Sequence, residues 1–581
     1  MKKVKYLAML LAAGMFAACS DNLEDTGAGN AGGTISDKGY IRIALNLPTT
    51  SGGNSRAAND QFNDGIASEY AVNNAILVLF TGATESAATY SQAFNLTPTL
   101  ESQPSDNVTT RYTTQAIEIN KPATGNVYGL VILNNNGLFQ VAQGTANAYD
   151  KLQWKKTTSG TFEDFTGTLS QLNSGTGYTI SNVATIANNT EDTGGFFMTN
   201  APKASIKGKD AQTSQNVTTL VTLSVRDSED DANAANPDEI YVERAVAKTT
   251  VKVGTQSGTS LTISDGDFKD ATVKFEGWLL NTTNTVTYLV RNVSAWNTWA
   301  GYTMPTGATA DSGNRFFGND NEFYRVYWAI DPNYDTAAGE NILQTYNNED
   351  YETLTSWGTI DNSSTTTVNE HPQYCLENTT NESQMKETEL TGVLFKATFT
   401  PSGSTTSNSN FFMLGNSSEI YTETNFLNLV NTILNLTDDD AVSSDDITGA
   451  GKTYNTATEV STWLGITEEQ ATTLLADPRF SGNIKYYQNG VVYYYSAFIK
   501  HFGDDLTPYT QGSKYTAADH LGRYGVVRNN WYELTVTEVS GPGSPEIPEP
   551  EPGDTPDDTE SWIRCAINVL SWAKRTQEVH L

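Results

Sequence analysis

The chain begins and ends on nearly the same β-strand, and that repetition constrains its fold more than any other feature. Tyr40-Ile41-Arg42-Ile43-Ala44-Leu45-Asn46-Leu47 can be laid over Trp562-Ile563-Arg564-Cys565-Ala566-Ile567-Asn568-Val569. Ile, Arg, Ala and Asn recur in register, and the remaining positions are aromatic or aliphatic, with Cys565 opposite Ile43. Both segments alternate with period two, setting Ile41, Ile43, Leu45 and Leu47 on one face of the first and Ile563, Cys565, Ile567 and Val569 on one face of the last. The first strand is stopped by Pro48. The last, running to Trp572, stands beyond a stretch rich in Pro, Glu and Asp at 541–560, which reads as an extended, semi-rigid linker. A single strand cannot bury its apolar side alone, so it must dock on something.

Such a pair points to exchange, in which the last strand of one molecule replaces the first strand of another. Removing a strand exposes unpaired backbone groups beside an apolar trough. An extended segment from a second chain restores the ladder while its alternate side chains fill the pockets. Four buried aliphatic side chains at about 1.5–3 kcal/mol each give roughly 6–12 kcal/mol before ordering costs. Donor and acceptor surfaces differ, so the contact can propagate into an open filament of identical subunits. A trigger is required, and Gly52-Gly53-Asn54-Ser55-Arg56-Ala57-Ala58 supplies one. An exposed small-residue loop with a single Arg suits a trypsin-like cut between Arg56 and Ala57.

The N-terminus fixes the compartment. Lys2, Lys3 and Lys5 precede the apolar stretch Tyr6 to Phe16, and Ala17-Ala18 lead into Cys19. This is a secretory signal, too short to span a bilayer as a mature helix. Cys19 stands where a bacterial lipoprotein receives its lipid, which would hold the precursor to the outer membrane. Phe16 sits where Leu is commoner.

The body reads as all-β. Tyr 28, Gly 46 and abundant Thr and Asn, with only 18% charged residues, suit strands joined by many turns. Strands are expected at Asn74 to Thr81, Val127 to Leu133, Phe196 to Thr199, Thr219 to Val225 and, as one long strand, Ile240 to Val253. Ala271 to Leu280 and Val286 to Val290 read as a hairpin, and Ile484 to Tyr487, Val491 to His501 and Trp531 to Val539 as later strands. Two helices are inserted, Glu423 to Leu436 and one capped by Thr467 with Gln470 three residues on. The expected organisation is a signal peptide (1–18), a lipidated propeptide with the first strand (19–56), β-sandwich domains at 57–253 and 254–540, the linker (541–560) and the donor strand (561–581).

A net charge of −32 argues against nucleic-acid binding. The histidines His371, His501, His520 and His580 are far apart and lack metal-ligand spacing, so no enzyme, metal or cofactor is expected. Asp265-Gly266-Asp267 with Asp270 lacks the length and closing Glu of a calcium loop and reads as a solvated turn. With Cys19 lipidated, Cys375 and Cys565 remain, and two buried thiols are favoured over a disulfide.

These features together resemble the Bacteroidales type V fimbrillins, most closely the major subunit of the short (minor) fimbriae. The resemblance is carried by Val527-Arg528-Asn529-Asn530-Trp531-Tyr532, Val569-Leu570-Ser571-Trp572, the terminal Glu578-Val579-His580-Leu581 and Val242-Glu243-Arg244-Ala245-Val246-Ala247. It implies two transthyretin-like β-sandwich domains in a pilus shaft subunit that supports adhesion or biofilm formation. It also implies export as a lipoprotein, cleavage by an arginine-specific protease, and accessory tip and anchor pilins as partners. The alternative is a glycan-binding surface lipoprotein acting as tip or anchor, with Trp296 and Trp299 stacking on sugars. Burial of both in a core is the favoured reading of those two residues.

Overall fold

The computed structural model describes residues 38–47, 67–97, 99–100, 111–143, 150–155, 160–173, 183–188, 190, 194–204, 217–254, 258–308, 314–316, 326–334, 342–347, 354, 356–360, 371–404, 406–550, 555–558 and 562–571. The expectations for Cys19, Arg56, Ala57 and Trp572 lie outside the described residues, as does the side chain of Val569.

The first half opens with β1 (Lys38–Ile41) and β2 (Ile43–Asn46), followed by the antiparallel pair β3 (Ala75–Gly82) and β4 (Thr89–Leu96). Then come β5 (Arg111–Thr113), β6 (Ile117–Asn120), β7 (Asn126–Leu133), β8 (Met198–Asn200) and β9 (Asp238–Arg244). A nine-stranded sheet runs β4-β3-β7-β8-β9-β2-β5, with Thr99–Leu100 beyond β5 and Val221–Leu223 beside β7. The unbroken apolar run Ile76 to Phe80 on β3 is buried throughout, the pattern of a strand covered on both faces. Its neighbours Val131, Leu133 and Met198 belong to the same core as Ile41, Ile43, Leu45 and Leu47.

The second half starts at β10 (Val246–Val253), and continues with β11 (Thr272–Asn281), β12 (Gln373–Leu376) and β13 (Gly392–Thr400). An insertion follows, made of β14 (Phe411–Leu414), helices α1 (Glu423–Leu434), α2 (Ala457–Leu464) and α3 (Glu468–Ala476), and β15 (Ile484–Tyr487). The chain then returns through β16 (Val491–Phe498), β17 (Asn530–Val539) and β18 (Ile563–Ser571). Two four-stranded sheets, β12-β10-β17-β18 and Ser260–Thr262 with β11-β13-β16, face each other as a sandwich. Val251, Tyr532 and Leu534 from one sheet meet Val273, Phe395 and Tyr494 from the other in its core. The insertion has its own core, where Phe412 stacks on Phe426 and Trp463 on Tyr454. The expected capping box of α3 is present, with Thr467 Oγ1 accepting from Gln470 N and Gln470 Oε1 accepting from Thr467 N.

Three details differ from the sequence-based expectation. The segment read as one strand, Ile240 to Val253, changes sheets at Ala245, so β9 serves the first core and β10 the second. Val286 to Val290 forms no hairpin with β11; Asn173 engages both the amide and the carbonyl of Val290, and Arg528 donates to the carbonyls of Tyr288 and Leu289. A third helix, α2, lies between the two expected ones, capped by Thr456 and stopped by Gly465 in the left-handed region.

The two sandwich halves meet over buried ion pairs. Arg291 donates twice to Glu243, Arg528 Nε to Glu377 Oε2 at 3.2 Å, and Lys248 Nζ to Glu69 Oε1 at 2.9 Å. All six side chains are closed off from solvent.

Candidate strand-exchange site

The first strand is an interior member of its sheet. β2 runs parallel to β9, pairing Ile43 with Asp238 through Asn46 with Tyr241, and antiparallel to β5, pairing Ala44 with Thr113 through Asn46 with Arg111. β1 continues along β6, and Tyr40 exchanges backbone hydrogen bonds with Arg226. Ile41, Ile43, Leu45 and Leu47 are all 0% exposed. Withdrawal of this segment would unpair the facing edges of β9 and β5 and open an apolar trough between them. The four residues singled out as the displaceable face therefore line one groove.

The last strand occupies a different kind of position. Among the described residues β18 pairs with β17 alone and forms the edge of the four-stranded sheet. Ile563 is buried, but Cys565 and Ile567 are only partly so. Trp562 is 46% exposed, with its ring edge against Phe268. Before any assembly, then, this strand rests on its own subunit in a less enclosed site than the one β2 fills.

Residues 485–578, which span β16, β17, β18 and the segment between the last two, match the family described as "Major fimbrial subunit protein type IV, Fimbrillin, C-terminal". The chain carries a fimbrillin C-terminal region. The matching family is one of fimbrial structural subunits, and the match covers residues 485–578 of this chain. A search of curated proteins finds no match. Among solved structures, a fimbrilin from Porphyromonas gingivalis W83 is 11% identical, with a TM-score of 0.33, 92% of this chain and 99% of that chain being covered. A tip fimbrial protein from Porphyromonas gingivalis is 9% identical, with a TM-score of 0.28 and coverage of 92% and 100%. A cell adhesion protein from Parabacteroides distasonis ATCC 8503 is 11% identical, with a TM-score of 0.36 and coverage of 94% and 99%.

The fimbrillin region contains the largest departure from the sequence reading. The stretch read as an extended, semi-rigid linker is held against the domain over its described residues, 541–550 and 555–558. Tyr494 and Tyr487 donate to the carbonyls of Gly541 and Gly543, Ser544 pairs with Tyr493, and Ile547 is buried beside Tyr495 and Tyr524. Farther along, Asp557 takes two hydrogen bonds from Arg523, both at 2.6 Å, and one from Tyr515 at 2.7 Å. Asp558 accepts from Gly512 N and Tyr509 OH. Burial alone would raise the Asp557 carboxyl, but the hydrogen bond and charge of Arg523, aided by Tyr515 and Lys500, outweigh it and hold the group below the usual carboxylate range. The strap closes on itself, since Ser540 N donates to Trp562 O at 2.9 Å. Acidic composition gave no sign of this, because the arginine that holds Asp557 is itself buried and distant in sequence.

Other candidate residues have structural roles. Cys375 and Cys565 are both free. They sit on β12 and β18 of one sheet with β10 and β17 between them and are also offset along the strands, since Cys375 is level with the Ser571 end of β18, which puts them beyond disulfide reach. Trp296 and Trp299 are buried beside Phe316 and Trp328, which leaves no sugar-stacking surface there. His501 bonds Tyr532 OH and the carbonyl of Tyr327 within the core. Gly266 takes φ 75° in the exposed turn Asp265 to Asp267.

Proposed function

We propose that this chain is a shaft subunit of a fimbrium, closest in kind to the major subunit of the short fimbriae, and that it polymerises by exchanging its C-terminal strand. The observation that carries the reading is the contrast between the two matching strands. The N-terminal one is an enclosed interior strand, and the C-terminal one is a partly exposed edge strand with the same alternation. In this reading the precursor is lipidated on Cys19 and reaches the outer membrane. A trypsin-like or arginine-specific protease then cuts between Arg56 and Ala57. Residues 19–56 leave with the plug, and residues 57–253 and 254–540 remain as the two domains. Residues 561–581 of a neighbour fill the groove, and accessory tip and anchor pilins end the fibre, which serves adhesion or biofilm formation.

Side-chain volume supports the need for a cut. Cys565, Ile567 and Val569 would replace Ile43, Leu45 and Leu47, and none is larger than the residue it replaces. The plug fills the groove at least as well, and underfilling costs on the order of 1 kcal/mol per lost methylene-sized contact. A donor therefore gains entry only after the plug has been disconnected.

Trypsin treatment of the purified precursor, followed by electron microscopy, tests the reading. Filaments should form after the Arg56 cut, and Ile567→Asp should abolish them while leaving the monomer's melting transition in place. Clean cleavage at Arg56 that yields only monomers, or filaments from the Ile567→Asp chain, contradicts it.

A further inference from the structure

The apolar face is only part of what the two end strands share. Their polar positions face sockets of their own. Arg42 aims its guanidinium at three backbone carbonyls, with Nε donating to Thr114 O at 3.1 Å and Nη1 donating to Asn233 O at 2.9 Å and Ala235 O at 3.2 Å. The last two lie at the end of the helix Glu229–Ala234, where carbonyls lack intrahelical donors. Asn46 Nδ2 donates to Glu239 Oε2 at 2.6 Å, and the other oxygen of Glu239 accepts from Arg111 Nη2 at 2.6 Å. Between these two sockets Ala44 is 0% exposed, so a longer polar side chain placed there would be cut off from solvent.

We propose that Arg564 and Asn568 of a second copy of this chain fill the sockets of Arg42 and Asn46, and that these contacts fix the register and identity of the donated strand. The proposal rests on the strand-exchange reading above. An apolar period of two cannot by itself distinguish the correct register from a slip of two residues, since either buries an alternating face. The polar positions do distinguish them. A slip one way brings Ala566 to the Arg42 socket and Asn568 to the closed Ala44 site. A slip the other way brings Trp562 and Arg564 to those places. Each leaves carbonyls without a donor and puts a polar group into a place cut off from solvent. The fit begins at Trp562, because a Cβ at Gly39 would lie 2.5 Å from Val225 Cγ1 and the counterpart there is Ser561.

The resting position of the last strand does not account for Arg564. With β18 docked on β17 its side chain is 76% exposed and donates to Glu538 at 3.2 Å. A change there consequently reads on the exchanged state rather than on the monomer.

The test uses two full-length chains. One carries Arg56→Ala, keeps its plug and can only donate; the other carries Ile567→Asp, is cut with trypsin and can only accept. Dimer formation is followed after trypsin is quenched. Adding Arg564→Ala to the donor should weaken joining by roughly ten- to hundred-fold, the scale of losing charged hydrogen bonds. Adding Asn568→Asp should weaken it against the wild-type groove by setting two carboxylates together, and Glu239→Gln in the acceptor should restore it. A donor with Arg564→Ala that joins at the unmodified rate, or an Asn568→Asp donor indifferent to residue 239, overturns the proposal. Failure of the unmodified donor and acceptor to join at all is a different outcome, and it removes the strand-exchange reading itself.

Discussion

Lys248 and Glu69 are buried together, with Tyr374 OH also donating to Glu69 Oε1 and Arg244 Nε to the Glu69 carbonyl. The Lys248 ammonium lies 4.5 Å from the ring centroid of Trp531. This knot ties the chain after the proposed cut to strands of both halves, so that segment would keep its own anchor if the first strand were removed. Truncation of the carboxylate strands a buried ammonium. Glu69→Ala is therefore expected to lower the unfolding free energy by about 3–5 kcal/mol in urea titration. A change within about 0.5 kcal/mol, the range of ordinary surface sites, would contradict that role. None of these residues stood out in the sequence. Glu243, Arg244 and Lys248 lie on β9 and β10 and Arg528 in the turn before β17, and the local pattern around each charge does not mark it as buried. Only the three-dimensional meeting of two sheets encloses them. Their segments, Val242 to Ala247 and Val527 to Tyr532, were legible as a family resemblance, but not as an ionic interface.

At the scale of elements, the held residues 541–550 and 555–558 bear on how the last strand would be released under the proposed exchange. With Asp557 and Asp558 held, only Thr559, Glu560 and Ser561 separate the clamp from Trp562. That length of extended chain reaches at most about 14 Å. Asp557→Ala should loosen the strap without disturbing the sandwich core. The expected result is faster amide exchange at Gly512 and faster proteolysis between Ile547 and Asp558, with a lowered melting transition because buried Arg523 loses both Asp557 oxygens as acceptors. Acid should act in the same direction. The folded-state pKa of Asp557 is depressed, so its contribution is present above the ordinary aspartate value near 3.9 and is lost as pH falls through the lower folded value. Protection of the Gly512 amide should accordingly persist at pH 5 and decline below about pH 4. Equal exchange in the variant and the parent chain would show that the clamp holds nothing. Composition alone gave the Pro-rich stretch its extended character, but the tyrosines that grip it belong to β15, to β16 and to loops outside it.

For the whole molecule, the most readable feature was the repeated strand, because period-two alternation and the Arg and Asn positions survive without any knowledge of partners. The sandwich class and the capped helix α3 were legible for similar local reasons. The switch of sheets at Ala245 was not, since β9 and β10 share one continuous strand-like pattern and only packing divides them. The contrast between an enclosed first strand and an edge-bound last strand was likewise invisible in the sequence, and it is the basis for reading the first as a removable plug. The most direct measurement is a cryo-electron microscopy map of the trypsin-matured filament at a resolution that distinguishes side chains. Between β9 and β5 the account predicts density continuous with a neighbour's C-terminal strand, with Arg564 at the carbonyls of Thr114, Asn233 and Ala235. Density for Tyr40 to Leu47 still seated in that groove would contradict it.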